Sequence, residues 1–289
     1  MSVPERWLVV RARLAGGDDD GRVAEALLDI GGRAAHFDGG WWITHLPDGD
    51  VEHADAQRWR TQVAGHLGSD EIEVEVAWQE HGDWAELWKR GLEPRRVGRH
   101  WVVTPSWCTP EVGGGDRVIV LDPGMAFGNA EHGTTRGCLR LLEAVVQPGE
   151  RLLDVGAGSA VLSIAAALLG AASVTAIEFD PLATPAAREN AEANGVADRV
   201  EVVEARATVE SLAALGPRDG VVANIERGIL TPLLPGFHAA LEPRGWLILS
   251  GIPADEWPAM AETAREAGFA LEAVDADGEW CSGRFTRSD

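Results

Sequence analysis

The chain contains one lysine, Lys89, and no tyrosine at all. Positive charge of any kind is scarce: 25 Lys and Arg stand against 46 Asp and Glu, a formal net charge of -21 over 289 residues. A surface built for DNA or RNA needs clustered Lys and Arg, so this balance argues against direct nucleic-acid binding. A surplus of carboxylates keeps a protein surface solvated, and it also suits a basic partner. Cysteine is nearly missing as well. Cys108, Cys138 and Cys281 lie far apart with no CxxC spacing, which provides neither a disulfide framework nor a zinc site and fits a reducing, cytoplasmic setting. Glu131 and His132 are adjacent, but no third ligand is spaced near them, so no metal is expected. The opening residues MSVPERWLVV lack the long apolar core of a signal peptide.

One uncharged run, from Ser159 to Ile177, has the look of a membrane span. Gly170 and Ser173 interrupt it, and β-branched residues follow, so a buried helix feeding a buried strand is the better reading. No membrane association is expected.

What is present is a regular order of elements. RWLVVRARL reads as a strand, GRVAEALLDIG as a helix, and AAHF and WWITHL as a hairpin about Asp38-Gly39-Gly40. HADAQRWRTQVAGHL is helical, and EIEVEVAWQ alternates as a half-buried strand does. The order βαββαβ predicts a small ferredoxin-like α+β domain over residues 1–80. GDWAELWKRGLEP then reads as a connecting helix within 81–98, docked by Trp84 and Trp88 on one face. From residue 99 to 289 the pattern changes. RHWVVTPSW and RVIVLDPG read as apolar strands around a glycine-rich turn, Gly113–Gly115. RLLDVGAG, SVTAIEFD, RVEVVEA, DGVVANI and GWLILSGI then alternate with helices. Repeated βα units with apolar strands predict a doubly wound, parallel α/β sheet of Rossmann-like type. FALEAVDADGEWCSGRFTR reads as a closing antiparallel hairpin about Asp277-Gly278.

Two loops carry the chemistry. LDPGMAFGNAEHGTT spaces Gly128 and Gly133 as a phosphate-binding loop would, but Thr134 stands where that motif requires lysine. LLDVGAGSAVLSIAAALLG is a strand, a glycine turn and a helix start. Gly156 and Gly158 let the chain turn sharply and let a ligand approach the backbone, and the free N–H groups of the helix favour an electron-rich group. Asp154 ends the strand, either to order the glycine turn or to contact a ligand directly. Glu178, at the end of the next strand and twenty-two residues beyond Gly156, is placed to accept both hydroxyls of an adenosine ribose. Its alternative is a solvated strand-end charge. Asp180 is a neighbouring candidate, although Asp180-Pro181 looks more like the start of a helix. Two nucleoside ligands fit. A dinucleotide usually brings a third glycine, and here Val161 stands in that place. S-adenosylmethionine, which carries no phosphate, suits the compact DVGAGSA form better.

Taken in order, LDPGMAFGNAEHGTT, LLDVGAGSAVLSIAA, IEFDP with AARENAEANGV, VVANI and LILSGI resemble the ribosomal protein L11 methyltransferases of bacteria, from about residue 84 to the C-terminal GEWCSGRF. The resemblance implies a class I S-adenosylmethionine-dependent enzyme with an N-terminal substrate-recognition domain and a basic ribosomal protein as partner. It implies that Thr135, Gly156 and Glu178 hold the methyl donor, with Gly158 in the same turn. It further implies that Asn224 lies beside the donor and the incoming amine, and that Phe127 gives the donor apolar cover. It names no catalytic base and no oligomeric state. His132 is a candidate base, set against a role in ordering its own loop. The loop departs from the family's GTGTHPTT, reading GNAEHGTT from Gly128 to Thr135: Glu131 adds a negative charge, and Gly133 replaces a proline and is expected to loosen the backbone; in the next loop Ala160 replaces a glycine. These departures keep two other readings open: transfer to another protein lysine or a small-molecule amine, or a non-catalytic donor-binding paralogue. Glu131 is expected to attract a cationic amine.

Overall fold

The structure is a computed structural model that describes residues 6–14, 22–31, 35–38, 40–47, 56–67, 72–80, 93–122 and 130–288. Elements are numbered over these residues. The connecting helix expected around Trp84 and Trp88 lies outside them. The chain divides into two compact units, Met1–Gly91 and Leu92–Asp289.

In the first unit, β1 (Arg6–Leu14), α1 (Arg22–Asp29), β2 (Ala35–Asp38), β3 (Trp41–Pro47), α2 (Ala56–Leu67) and β4 (Ile72–Glu80) follow one another. The strands form one antiparallel sheet in the order β2-β3-β1-β4, the arrangement of a ferredoxin-like domain. Alternation decides which side is inner. Ile72, Val74 and Val76 of β4 face the same core as Leu8, Val10 and Ala12 of β1, while Glu73 and Glu75 are exposed. Val23, Ala26 and Leu27 of α1, with Trp59 and Val63 of α2, close that core.

The second unit opens with β5 (Arg95–Val97), β6 (Trp101–Thr104) and β7 (Arg117–Val120). Sequence reading treats β6 and β7 as strands around a glycine-rich turn. They instead pair in parallel, so the segment between them is a return connection, and with β5 they form a separate three-stranded sheet. Then come α3 (Gly133–Val145), β8 (Arg151–Val155), α4 (Val161–Leu168), β9 (Ser173–Glu178), α5 (Ala183–Ala193), β10 (Val200–Glu204), α6 (Val209–Leu215), β11 (Arg218–Asn224), α7 (Arg227–Ala240), β12 (Leu241–Pro253), α8 (Trp257–Glu266), β13 (Phe269–Asp277) and β14 (Trp280–Arg287).

Seven of these strands form a sheet in the order β10-β9-β8-β11-β12-β14-β13. The five from β10 to β12 are parallel, and β14 enters antiparallel between β12 and β13. One core lies on the α3, α4 and α5 side, with Leu139, Leu142, Ile164 and Ala187. The other lies on the α6, α7 and α8 side, with Leu212, Phe237 and Met260. A sheet covered on both faces needs strands that are apolar throughout, and β8 is buried from Leu152 to Val155. The uncharged run Ser159–Ile177 becomes the fully packed α4, a turn at Gly170 with φ 108, and β9. Among the described residues no helix is long and apolar enough to cross a membrane.

Candidate functional site

Strand order reverses at β8. β9 and β10 run off to one side, β11 and β12 to the other, so the C-terminal ends of β8 and β11 diverge and leave a crevice. A cleft of about 820 Å³ lies there, wholly within the second unit, in the size range of small-molecule sites.

The floor is the turn after β8. Gly156 has φ 76, and a Cβ on it would stand 2.3 Å from Ile225 Cγ2, so conformation and space both demand glycine. Gly158 has φ 53. The N–H groups of Gly156 and Ala157 both donate to the Ile177 carbonyl, at 2.9 and 3.1 Å, which fastens the turn to β9. Ala160, the residue before α4, is left-handed at φ 63 and fully buried. The family glycine at this place is thus explained by backbone conformation, and the alanine here carries the strain.

Asp154 does not line the cleft. Its side chain is fully buried beneath the turn, where Oδ2 accepts the Ser163 hydroxyl at 2.6 Å and Oδ1 has no partner. Burial pushes its carboxyl up to about 6, against the Ser163 hydrogen bonds and helped by the charge of Glu178. Of the two roles open to it in the sequence, the geometry corresponds to ordering the turn and the start of α4. Direct ligand contact is corrected accordingly.

Glu178 lines the cleft and is held by two backbone donors: Gly158 N–H to Oε2 at 2.7 Å and Asp180 N–H to Oε1 at 2.8 Å. A carboxylate offers about four lone-pair sites, so two remain for a ligand. Asp180 is outside the cleft lining; its Oδ1 accepts Leu182 N–H at 2.8 Å and shapes the turn into α5. Beside Glu178, Phe179 is 59% exposed and the Arg206 guanidinium lies 4.5 Å from its ring centre. Both line the cleft. Sequence reading passed over them: the only signal for Phe179 was its place next to Glu178, and nothing marked Arg206.

Two more residues of the lining are Thr135 and Asn224. Thr135 lies in the first turn of α3, with no exposure and no partner for Oγ1. Asn224 ends β11, and its Oδ1 is buried and unpartnered. Both residues line the cleft. A buried polar atom left without a hydrogen bond costs ~1–3 kcal/mol, and two at one place mark a site shaped for a polar ligand. Phe127, the expected apolar cover, lies outside the described residues.

The wall between them comes from α3 and the β13–β14 hairpin. His132 Nδ1 lies 2.7 Å from Thr134 Oγ1, and its ring centre is 4.5 Å from that of Trp280. Burial, then the Arg136 charge, holds its pKa below the ordinary histidine value, with Glu279 acting in opposition. The contact with Thr134 ties the ring to its own loop, which fits an ordering role. Gly133, expected to loosen the backbone, stands in close packing. It is buried at the start of α3, and a Cβ there would stand 2.7 Å from the Asp277 carbonyl oxygen. Gly137, one turn on, would meet Ser282 Oγ at 2.4 Å. The two glycines let α3 seat against the hairpin. Arg136 clamps it there through Asp277, at 2.9 and 2.5 Å, and Arg140 through Asp275, at 2.7 and 2.5 Å. The Arg136 hydrogen bond holds the Asp277 carboxyl well below the usual carboxylate range. Glu131 is also displaced from its expected role: it does not line the cleft, and its carboxylate lies 3.8 Å from Arg95.

The segment AARENAEANGV acquires a structural meaning. Asn190, buried in α5, accepts Asp122 N–H at 3.0 Å and donates to the Ser159 carbonyl at 3.1 Å. Asn194 accepts Val120 N–H at 2.9 Å and donates to the Val120 carbonyl at 2.6 Å. The pair ties the end of β7 to the glycine turn. Among the described residues no group of three or more His, Cys, Asp or Glu is placed to hold a metal ion.

Comparison with known proteins adds a family. The model of the family described as Ribosomal protein L11 methyltransferase (PrmA) matches residues 41–288. A protein of that name from Symbiobacterium thermophilum is 39% identical over 244 residues, covering 78% of this chain and 79% of its own. Another from Gloeobacter violaceus is 40% identical over 251 residues, covering 86% and 75%. The crystal structure of a ribosomal protein L11 methylase from Lactobacillus delbrueckii subsp. bulgaricus superposes with a TM-score of 0.62 at 32% identity, over 68% of this chain and 100% of that one.

Proposed function

The chain belongs to the ribosomal protein L11 methyltransferase family, and from that premise we propose that it transfers methyl groups from S-adenosylmethionine to amino groups of ribosomal protein L11. The observation that carries the site assignment is that two residues with buried, unpartnered polar atoms, Thr135 (Oγ1) and Asn224 (Oδ1), line the same cleft as the Gly156 turn. S-adenosylmethionine offers a ribose diol, a zwitterionic tail and an adenine, and the residues present fit each part. Glu178 has two lone-pair sites for the diol, and Phe179 offers an exposed ring face to the adenine. The glycine turn admits close approach, and Thr135 supplies a hydroxyl. When bound, the donor supplies an electrophilic methyl on a sulfonium.

The acceptor must arrive as a neutral amine. A free lysine with a pKa of about 10.4 is neutral only about once in a thousand near pH 7.4, a penalty of ~4 kcal/mol. Desolvation lowers that pKa. In this reading the cleft strips water from the amine, and Asn224 Oδ1 accepts one of its N–H groups and so aims the nitrogen lone pair. Alignment supplies the rest, and no side chain is needed as a dedicated base. The ferredoxin-like unit, residues 1–80, serves as the recognition domain for the basic protein, and residues 99–289 carry the transfer. The test is incubation with labelled methyl donor and purified ribosomal proteins, followed by mass spectrometry. Label on L11 is the expected result; label confined to other proteins, or none with donor bound, overturns the proposal.

A further inference from the structure

We propose that Glu226 is the residue that captures the acceptor as a cation at the mouth of the cleft, before the amine reaches Asn224. The inference rests on the function just proposed and names a specificity-determining residue for it. Glu226 lines the cleft two residues beyond Asn224. It occupies the N-cap position of α7, where Ser, Thr, Asp and Asn cap the first free N–H groups and the longer glutamate ordinarily does not, which leaves its carboxylate free to point elsewhere. Glu226 makes no side-chain cap hydrogen bond, and its side chain is exposed.

Its neighbours are engaged otherwise. Arg227 pairs with Glu256 at 3.3 Å, and Glu178 is held by two backbone donors. Among the described residues Glu226 takes part in no ion pair, so one carboxylate on the Asn224 side of the cleft is left for a ligand. One further observation, independent of the helix end, points to an acceptor here: the buried, unpartnered Oδ1 of Asn224, two residues before Glu226 in the same cleft lining. Asn224 suits an N–H donor and a carboxylate suits an ammonium. The acceptor passes through both states, charged in water and neutral when it reacts. The two residues act in succession. Glu226 attracts the charged form at the exposed rim, and Asn224 orients the neutral form in the buried interior.

The experiment is steady-state methylation of purified L11 by the full-length protein and its Glu226→Gln variant at low and high salt, with donor affinity measured separately by calorimetry. Glu210→Gln, an exposed acid on α6 outside the cleft lining, controls for net charge. The expected result is KM for L11 raised roughly three- to five-fold at low salt, a difference that shrinks as salt is raised, with donor affinity unchanged. Turnover at saturating L11 stays within a factor of about two, because the rim charge acts before the reacting geometry forms. Unchanged KM at both salts overturns the proposal, as does an equal rise in the Glu210→Gln control. Weakened donor binding in Glu226→Gln also overturns it, by assigning the carboxylate to the donor. Failure of the unmodified protein to methylate L11 is a different outcome and refutes the function beneath it.

Discussion

Replacing Asp154 with asparagine should stabilise the protein, and by an amount that grows with pH. The carboxyl is fully buried, accepts Ser163 at Oδ2, and leaves Oδ1 with no partner. Its pKa is raised from 3.8 to about 6, first by burial. That is a difference of about two units at 1.36 kcal/mol each, or ~3 kcal/mol. A folded-state pKa above the unfolded one means that the folded protein holds the proton more tightly. The stabilising contribution is therefore fully present below pH 3.8 and is lost as pH rises through about 6. Above that, the ionised carboxylate sits in a pocket that disfavours it.

Asparagine keeps the shape and the acceptor for Ser163 but cannot ionise. Its amide leaves one polar atom short of a partner, as Oδ1 is now, so the exchange adds an offset that does not vary with pH. The diagnostic quantity is the slope. Urea unfolding followed by tryptophan fluorescence, run on both proteins from pH 4 to pH 8, should show the variant gaining ~2.4 kcal/mol relative to wild type across that interval, with most of the gain between pH 4 and pH 6.5. A difference independent of pH would show that Asp154 ionises as an exposed aspartate does, and the account of the turn resting on a neutral-leaning acid would fall.

Three further substitutions test the packing around the cleft. Ala160→Gly relieves a buried left-handed alanine at φ 63 and should add ~1 kcal/mol, raising the melting temperature by about 2–4 °C in calorimetry; no rise refutes the strain. Gly156→Ala places a methyl 2.3 Å from Ile225 Cγ2 at a positive φ, so calorimetry should find S-adenosylmethionine affinity down at least about ten-fold while circular dichroism still reports a folded chain. Gly133→Ala puts a Cβ 2.7 Å from the Asp277 carbonyl and should cost ~1–3 kcal/mol in urea unfolding, whereas a neutral outcome would restore the view that this position is loose.

What could be read along the chain and what could not divide on physical grounds. The alternation of Ile72, Val74 and Val76 with Glu73 and Glu75 is a local pattern that states its own inner face. The strand–glycine–helix succession around Gly156 and Gly158 is likewise local, because a sharp turn into a helix needs only neighbours in sequence. Glu178 could be placed because strand-end acids of parallel sheets project over the adjoining turn. Together with Thr135 and Asn224 these residues meet at one cleft.

The misplaced features all depend on partners distant in sequence. Gly133 looks permissive until Asp277, far along the chain, is packed against it. Asp154 ends a strand as a ligand-binding acid does, and only the burial supplied by surrounding helices and strands separates the two roles. Glu131 and Glu226 are both acids beside glycine-bearing loops. What distinguishes them is that one lies near Arg95 and the other remains at the cleft with its own helix end uncapped. Charge assigned from sequence is thus a statement about sign alone. Its target is decided by whichever opposite charge the fold brings nearest, and among carboxylates that find none position decides: Glu226 lines the cleft, whereas Glu210 does not.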